Sequence, residues 1–193
     1  MGIMRKSRLS LYKQDRLIEH FVAGTTARTA ASLCGVNRKT AAFFFHRLRE
    51  VIAYELEQEG LAMFAGEIEV DESYFGGARK GKRGRGAAGK IPVFGLLKRG
   101  GKVYTKIIPD ASGETLMPIM TSKILPDSIV YSDSWRGYNV LDVSDFKHYR
   151  INHSEAFADA KNHINGIENF WNQAKRHLRK FNGVPKAHFG LFL

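Results

Sequence analysis

Hydrophobic residues along the chain repeat first with a helical period and then with the period of strands. Between Lys13 and Val22, Leu17, Ile18 and Phe21 fall on one face of a 3.6-residue turn, which predicts an amphipathic helix. Gly24 closes it, and Thr25-Thr26 offers a cap for a second helix ending near Leu33, with Ala27, Ala30 and Ala31 inside. The turn Cys34-Gly35-Val36 follows, and Asn37 is placed to cap a third helix running through Arg49 or beyond. Residues 50–66 read as its continuation and a linker. Helix, glycine-containing turn and capped helix make the pattern of a helix-turn-helix. Asn37, Arg38, Lys39 and Thr40 would then open the helix that enters the major groove. The plainer alternative is a three-helix cap used for packing or dimerisation.

From Glu67 the pattern becomes β-rich. Strands are predicted at Glu67–Asp71, Ile91–Lys98, Lys102–Pro109, Ser128–Ser132 and His148–Asn152. Arg99-Gly100-Gly101 joins two of them as a hairpin, because a Gly-Gly turn supplies positive φ. Helices are predicted at Gly113–Ile124 and from about Gly166 to Phe181, with a short one starting at Trp135. This order implies an α/β domain, a mixed sheet with helices on its faces, over residues 61–193, behind a small all-α unit over residues 1–60.

Charge narrows the partners. Lys and Arg number 30 against 19 Asp and Glu, a net charge of +11, and an excess of this size usually serves a polyanion such as nucleic acid. The one cysteine, Cys34, excludes an internal disulfide framework or zinc ribbon and reads as a small buried apolar residue. No apolar stretch is long enough for a membrane span, and no signal-peptide core follows the basic start, so a cytosolic protein is expected.

Three acids are the candidate chemistry. Asp71 ends the run Glu67-Ile68-Glu69-Val70-Asp71, and Asp133 ends Ser128-Ile129-Val130-Tyr131-Ser132-Asp133. Glu168 lies on the later helix. Two carboxylates at strand ends and one on a helix could converge on a pair of Mg²⁺ ions suited to phosphodiester attack. Each has a plainer reading. Glu67, Glu69 and Asp71 could be the solvated side of a half-buried strand. Asp133 could cap the short helix at Trp135. Asn165-x-x-Glu168 fits a capping box, with Ile167, Phe170, Trp171, Ala174 and Leu178 as the buried stripe of that helix.

Basic and aromatic residues surround these acids in sequence. Residues 79–90 carry Arg79, Lys80, Lys82, Arg83 and Arg85 among glycines, a composition that packs no core and suits a loop wrapping phosphates. Trp135, Arg136 and Tyr138 follow Asp133 as a surface for stacking or phosphate contact. Lys175 and Arg176, with His177, Arg179 and Lys180, form a basic helix face able to track a DNA backbone. His153 and His163 could orient a water or a phosphate, although an ordinary loop histidine is the simpler reading of each.

Taken in series, Asp71-Glu72-Ser73-Tyr74-Phe75-Gly76-Gly77, the Gly/Lys/Arg loop, Tyr131-Ser132-Asp133 and Asn165-Gly166-Ile167-Glu168-Asn169-Phe170-Trp171 resemble the small DDE transposases of bacterial insertion sequences, over about residues 60 to 190. The resemblance implies a ribonuclease-H-like fold. It also implies binding of element ends and metal-dependent DNA cleavage and strand transfer, with two Mg²⁺ (or Mn²⁺) ions on Asp71, Asp133 and Glu168. One ion would activate water and later the freed 3′-OH, and the other would stabilise the departing oxygen. Asn165 and Trp171 become site neighbours, and the helix-turn-helix becomes the end-binding domain. The implied partners are double-stranded DNA, both terminal repeats and target, and further copies of the chain, because two ends must be brought together.

The chain departs from that pattern in two ways. It lacks the cysteines of the zinc-binding N-terminus that some relatives carry, and it stops within the apolar segment His188-Phe-Gly-Leu-Phe-Leu193. The second departure raises the expectation of a copy truncated at its C-terminus. The alternative functions are an inactive or truncated remnant that only binds DNA, and a structure-specific nuclease that cuts without joining.

Overall fold

The computed structural model describes residues 7–59, 63–76, 89–151, 163–181 and 183–193. Three helices come first: α1 Leu11–Val22, α2 Ala27–Leu33 and α3 Arg38–Glu59. Ser10 and Thr26 cap the first two through their hydroxyls, and the Asn37 carboxamide accepts the Lys39 N–H at 2.9 Å; Thr26 and Asn37 are caps the sequence predicts. Gly35 takes φ +57° in the turn between α2 and α3, a conformation that favours glycine. Leu17, Ala30, Ala31, Ala41 and Phe45 form a small core of their own. Small alanines let the helices approach closely enough for Phe21 and Phe45 to meet edge to face at 5.2 Å. Cys34 is half-buried at the rim of this cluster rather than inside it.

The rest of the chain forms a five-stranded mixed sheet. Its strands are β1 Glu67–Phe75, β2 Ile91–Lys98, β3 Val103–Ile107, β4 Ile129–Asp133 and β5 Lys147–Ile151, in the order β3-β2-β1-β4-β5. The first three form an antiparallel meander, while β4 and β5 run parallel to β1. This is the ribonuclease-H-like arrangement. Gly100 takes φ +68° in the β2–β3 hairpin, as the Gly-Gly turn requires.

Helices cover both faces of the sheet. On one, α4 (Gly113–Lys123) and a 3-10 helix at Arg136–Val143 bury Leu116, Ile119, Met120, Tyr138 and Leu141 against Ile68, Val70, Phe94, Leu96 and Val130. On the other, α5 (Asn165–Leu178) buries Ile167 and Trp171 against Phe75, Val93, Tyr131 and Ile151. The alternation along β1 therefore sends Ile68, Val70 and Glu72 to the α4 face, and Glu69, Asp71 and Phe75 to the α5 face.

The three-helix unit meets the sheet domain through α3. Its Arg49 guanidinium lies 4.0 Å from the ring centre of Phe192 and 5.4 Å from that of Phe181, while also facing Phe21 at 5.0 Å. His46 stacks edge-on with His188 at 5.0 Å. Among the described residues no helix is long and apolar enough to cross a membrane.

The structure corrects three local expectations. β1 does not end at Asp71 but pairs with β2 as far as Phe75↔Ile91, which leaves Asp71 in mid-strand. Glu69 is not on a solvated side; it is 1% exposed, because α5 lies over it. Tyr138 offers no DNA-facing surface, since it is fully buried in the core under α4.

Candidate active site

The register of the parallel pair brings two of the acids together. β1 and β4 are matched at Glu67↔Ile129, Ile68↔Val130 and Glu69↔Tyr131. Asp71 and Asp133 each come two residues further along, at the point where the ladder has ended and the strands diverge. Both belong to the α5 face by alternation. Asp133 is 9% exposed, and its Oδ1 accepts the Trp135 N–H at 2.9 Å. The capping role and a site role are thus compatible: the bond to Trp135 fixes the carboxylate at the tip of β4.

Glu168 arrives from above on α5. It is half-buried and follows Ile167, which sits in the core. The predicted capping box does not start this helix, because Asn165 is already its first residue and the cap position, Ile164, makes no side-chain cap bond. The first turn is held by Glu69, whose Oε2 accepts the Ile167 N–H at 2.9 Å across 98 residues of sequence.

Glycines make this docking possible. Gly95 faces Asp71 across the antiparallel ladder, and a Cβ there would lie 2.5 Å from Trp171 Cζ2 and 3.0 Å from Ile167 Cδ1. A Cβ on Gly166 would lie 2.5 Å from Leu97 Cδ2 and 2.7 Å from Glu69 Oε2. Each glycine lets α5 settle onto the sheet at the level of the acids.

Electrostatics show that the acids share one region. The Asp71 carboxyl is pushed up to about 7, first by burial, then by the charges of Glu72, Asp133 and Glu168, against a backbone hydrogen bond from Glu72 that favours ionisation. Glu72 points to the opposite face, where its Oε2 accepts the Tyr138 hydroxyl at 2.9 Å. Burial and the neighbouring Glu72 and Asp71 raise the Tyr138 phenol well above its ordinary range.

This donor set fits a hard divalent cation, because it is all oxygen. As placed, no three His, Cys, Asp or Glu side chains among the described residues are arranged to hold one ion. The carboxylates feel one another's charge without forming a closed set of ligands.

The remaining candidates fall in different places. Trp171 is buried against Phe75, with ring centres 5.9 Å apart, and its Nε1 has no hydrogen-bond partner among the described residues. Asn165 is exposed at the start of α5. Trp135 is 40% exposed beside Asp133, with its indole N–H donated to the Ala111 carbonyl at 3.2 Å, and Arg136 next to it is exposed. Lys175 and Arg176 are exposed further along α5, Lys175 above the Phe75 ring. Asn37, Arg38, Lys39 and Thr40 are all exposed at the start of α3, well apart in sequence and element from the acids. His163 sits 3.7 Å from Glu69, on the flank of α5 rather than among the acids. Arg79, Lys80, Lys82, Arg83, Arg85 and His153 lie outside the described residues.

The residue pattern does not single out Arg99, and it gives Glu69 only as a possible solvated strand acid and Tyr138 only as surface, although all three bear on the site. Arg99 Nε donates to Glu69 Oε1 at 3.0 Å, and the guanidinium lies over the Tyr131 ring at 3.8 Å. The signals that point to this docking are Gly95, a glycine inside an apolar strand, and Gly166 beside Ile167.

The ISXO2-like transposase domain matches residues 63–193, which covers the whole sheet, α5 and the three acids. The chain belongs to this family. The family is one of DDE transposases, which are typically catalytic and generally use divalent metals. Over 92 residues the chain is 62% identical to an uncharacterized transposase-like protein of Haemophilus influenzae, a match covering 48% of this chain and 75% of that one. A second H. influenzae protein, uncharacterized, is 45% identical over 53 residues, 26% of this chain and 74% of its own length. Two solved structures resemble the chain loosely. The Mos1 strand transfer complex has a TM-score of 0.35 and 10% identity over 99% of this chain and 75% of that one. The Mos1 transposase paired-end complex with the left transposon end has 0.36 and 8% over 99% and 76%.

Proposed function

We propose that the chain is a working transposase of an insertion sequence, which binds the ends of its element and carries out metal-dependent DNA cleavage and strand transfer. One observation carries this reading: the β1–β4 register puts Asp71 and Asp133 at matching positions on the sheet face over which α5 brings Glu168, in a chain of a DDE transposase family.

In this account Asp71, Asp133 and Glu168 hold two Mg²⁺ or Mn²⁺ ions. When bound, the ions supply activation of water, later of the freed 3′-OH, and charge stabilisation for the departing oxygen. The chain's own residues do the rest. Asp133 is buried and Asp71 half-buried, which limits water around the acids, and the Trp135 N–H holds Asp133 in place. Glu72 stays on the other face, tied to Tyr138, where it adds negative potential without being a ligand. Trp135, Arg136, Lys175 and Arg176 lie on exposed surface near the acids or along α5 and contact DNA. The basic residues Arg79, Lys80, Lys82, Arg83 and Arg85 contact DNA as well.

Residues 1–60 act as the end-binding domain, with Asn37, Arg38, Lys39 and Thr40 meeting the major groove from the exposed start of α3. Two ends must be joined, so the working form contains more than one copy.

The test is nicking of labelled element-end DNA in Mg²⁺ by the wild type and by Asp71→Asn, Asp133→Ala and Glu168→Gln. Metal-dependent nicking by the wild type and none by the three variants is expected. Specific end binding with no nicking by any protein would instead favour a remnant that only binds DNA.

A further inference from the structure

Glu69 is a buried carboxylate that the chemistry above does not use. Acids this deep in a sheet are costly unless they are paired and hydrogen-bonded, and Glu69 is both. One oxygen accepts the Arg99 Nε–H at 3.0 Å, and the other accepts the Ile167 N–H at 2.9 Å. Arg99 is itself fixed on three sides: by Glu69, by the His163 carbonyl that its guanidinium also reaches, and by the face of Tyr131. Tyr131 in turn donates its hydroxyl to Glu67 at 2.9 Å.

The anion therefore sits where a helix N-terminus favours negative charge, and it satisfies an N–H that the helix's own cap position leaves unmet. The neighbouring Gly166 has no side chain because Glu69 occupies that space. Glu168 is the next residue after Ile167, so the first turn of α5 cannot shift along the sheet without breaking the bond to Glu69.

We infer that Glu69, clamped by Arg99, is a positioning residue that sets the first turn of α5 and thereby places Glu168 opposite Asp71 and Asp133. The inference rests on the metal-site reading of those three acids. With its two oxygens engaged by Arg99 and the Ile167 N–H, Glu69 acts through the backbone of Ile167.

The test measures Mn²⁺ binding to the full chain by electron paramagnetic resonance. The variants are Glu69→Ala, the isosteric Glu69→Gln, Asp133→Asn, and Leu116→Ala, a core change under the opposite face of the sheet. Removing an outer support of this kind typically weakens metal affinity about 10- to 100-fold. Glu69→Ala should show a loss of that size and Glu69→Gln a smaller one, because its amide oxygen still accepts the Ile167 N–H but cannot balance Arg99. Leu116→Ala should bind as the wild type does, which separates positioning from general destabilisation. If Glu69→Ala does not fold, Glu69→Gln carries the test alone.

Wild-type affinity in both Glu69 variants, together with loss in Asp133→Asn, overturns the positioning role and leaves the metal site standing. Equal binding by the wild type and Asp133→Asn removes the metal-site reading, and this inference with it.

Discussion

Gly95 and Trp171 are packed so closely that a methyl group on Gly95 would lie 2.5 Å from the indole ring. The contact lies directly across the β1–β2 ladder from Asp71. Gly95→Ala must therefore push α5 away from the sheet or twist Trp171, and overpacking of this kind costs about 1–3 kcal/mol. A lowered midpoint in thermal unfolding is expected, with metal affinity reduced in the protein that remains folded. Unchanged stability would mean that α5 does not rest on the sheet as described.

Asp71 should make the metal-free protein sensitive to pH. Its carboxyl is raised from 3.8 in the unfolded chain to about 7 in the fold, so the folded state binds that proton more tightly. The resulting stability is fully present below about pH 4 and is lost as pH rises through about 7; three units correspond to roughly 4 kcal/mol, as an order of magnitude. Asp71→Asn, which carries no charge, should therefore be more stable than the wild type at pH 8 without divalent ions. The gap should narrow at pH 5 and close only below about pH 4. Urea melts of both proteins at the two pH values check this, and a pH-independent difference would show that Asp71 is not held as a strained anion.

Much of this arrangement is legible in the residues. Ser10 aside, the caps, the Cys34-Gly35-Val36 turn and the Arg99-Gly100-Gly101 hairpin all follow from local chemistry, and local chemistry is what a sequence carries directly. The strands alternate clearly enough that β2 is read with both its ends. Asp133 and Glu168 stand where they are read, at a strand end and in a first helical turn, whereas Asp71 lies in mid-strand. Glu69 could not be read this way. Its partner Ile167 is distant in sequence, and a strand acid with apolar neighbours has the same pattern whether it faces water or a helix. Tyr138 was equally opaque, because an aromatic beside Arg136 looks like surface until α4 is seen to cover it. The end of β1 was misplaced for a related reason: Glu72 and Ser73 break the apolar run, yet both are buried by pairing and packing.

DNA recognition should map to the start of α3. Arg38→Ala should weaken binding to the element's own end by about 1–3 kcal/mol if Arg38 reads a base, with little effect on unrelated DNA. Lys39→Ala, if Lys39 contacts phosphate, should weaken both equally and flatten the salt dependence. Fluorescence anisotropy over a range of salt concentrations measures both. Specific affinity untouched by either change would take the recognition role away from this helix.

The central claim is that Asp71, Asp133 and Glu168 form one metal-dependent centre for DNA joining. Strand transfer of the element's own ends into a target plasmid in Mg²⁺, wild type beside Asp133→Ala, tests it most directly. The account predicts joined products from the wild type, none without the metal, and none from Asp133→Ala, while end binding by the variant stays intact. Joining that persists in Asp133→Ala would contradict it.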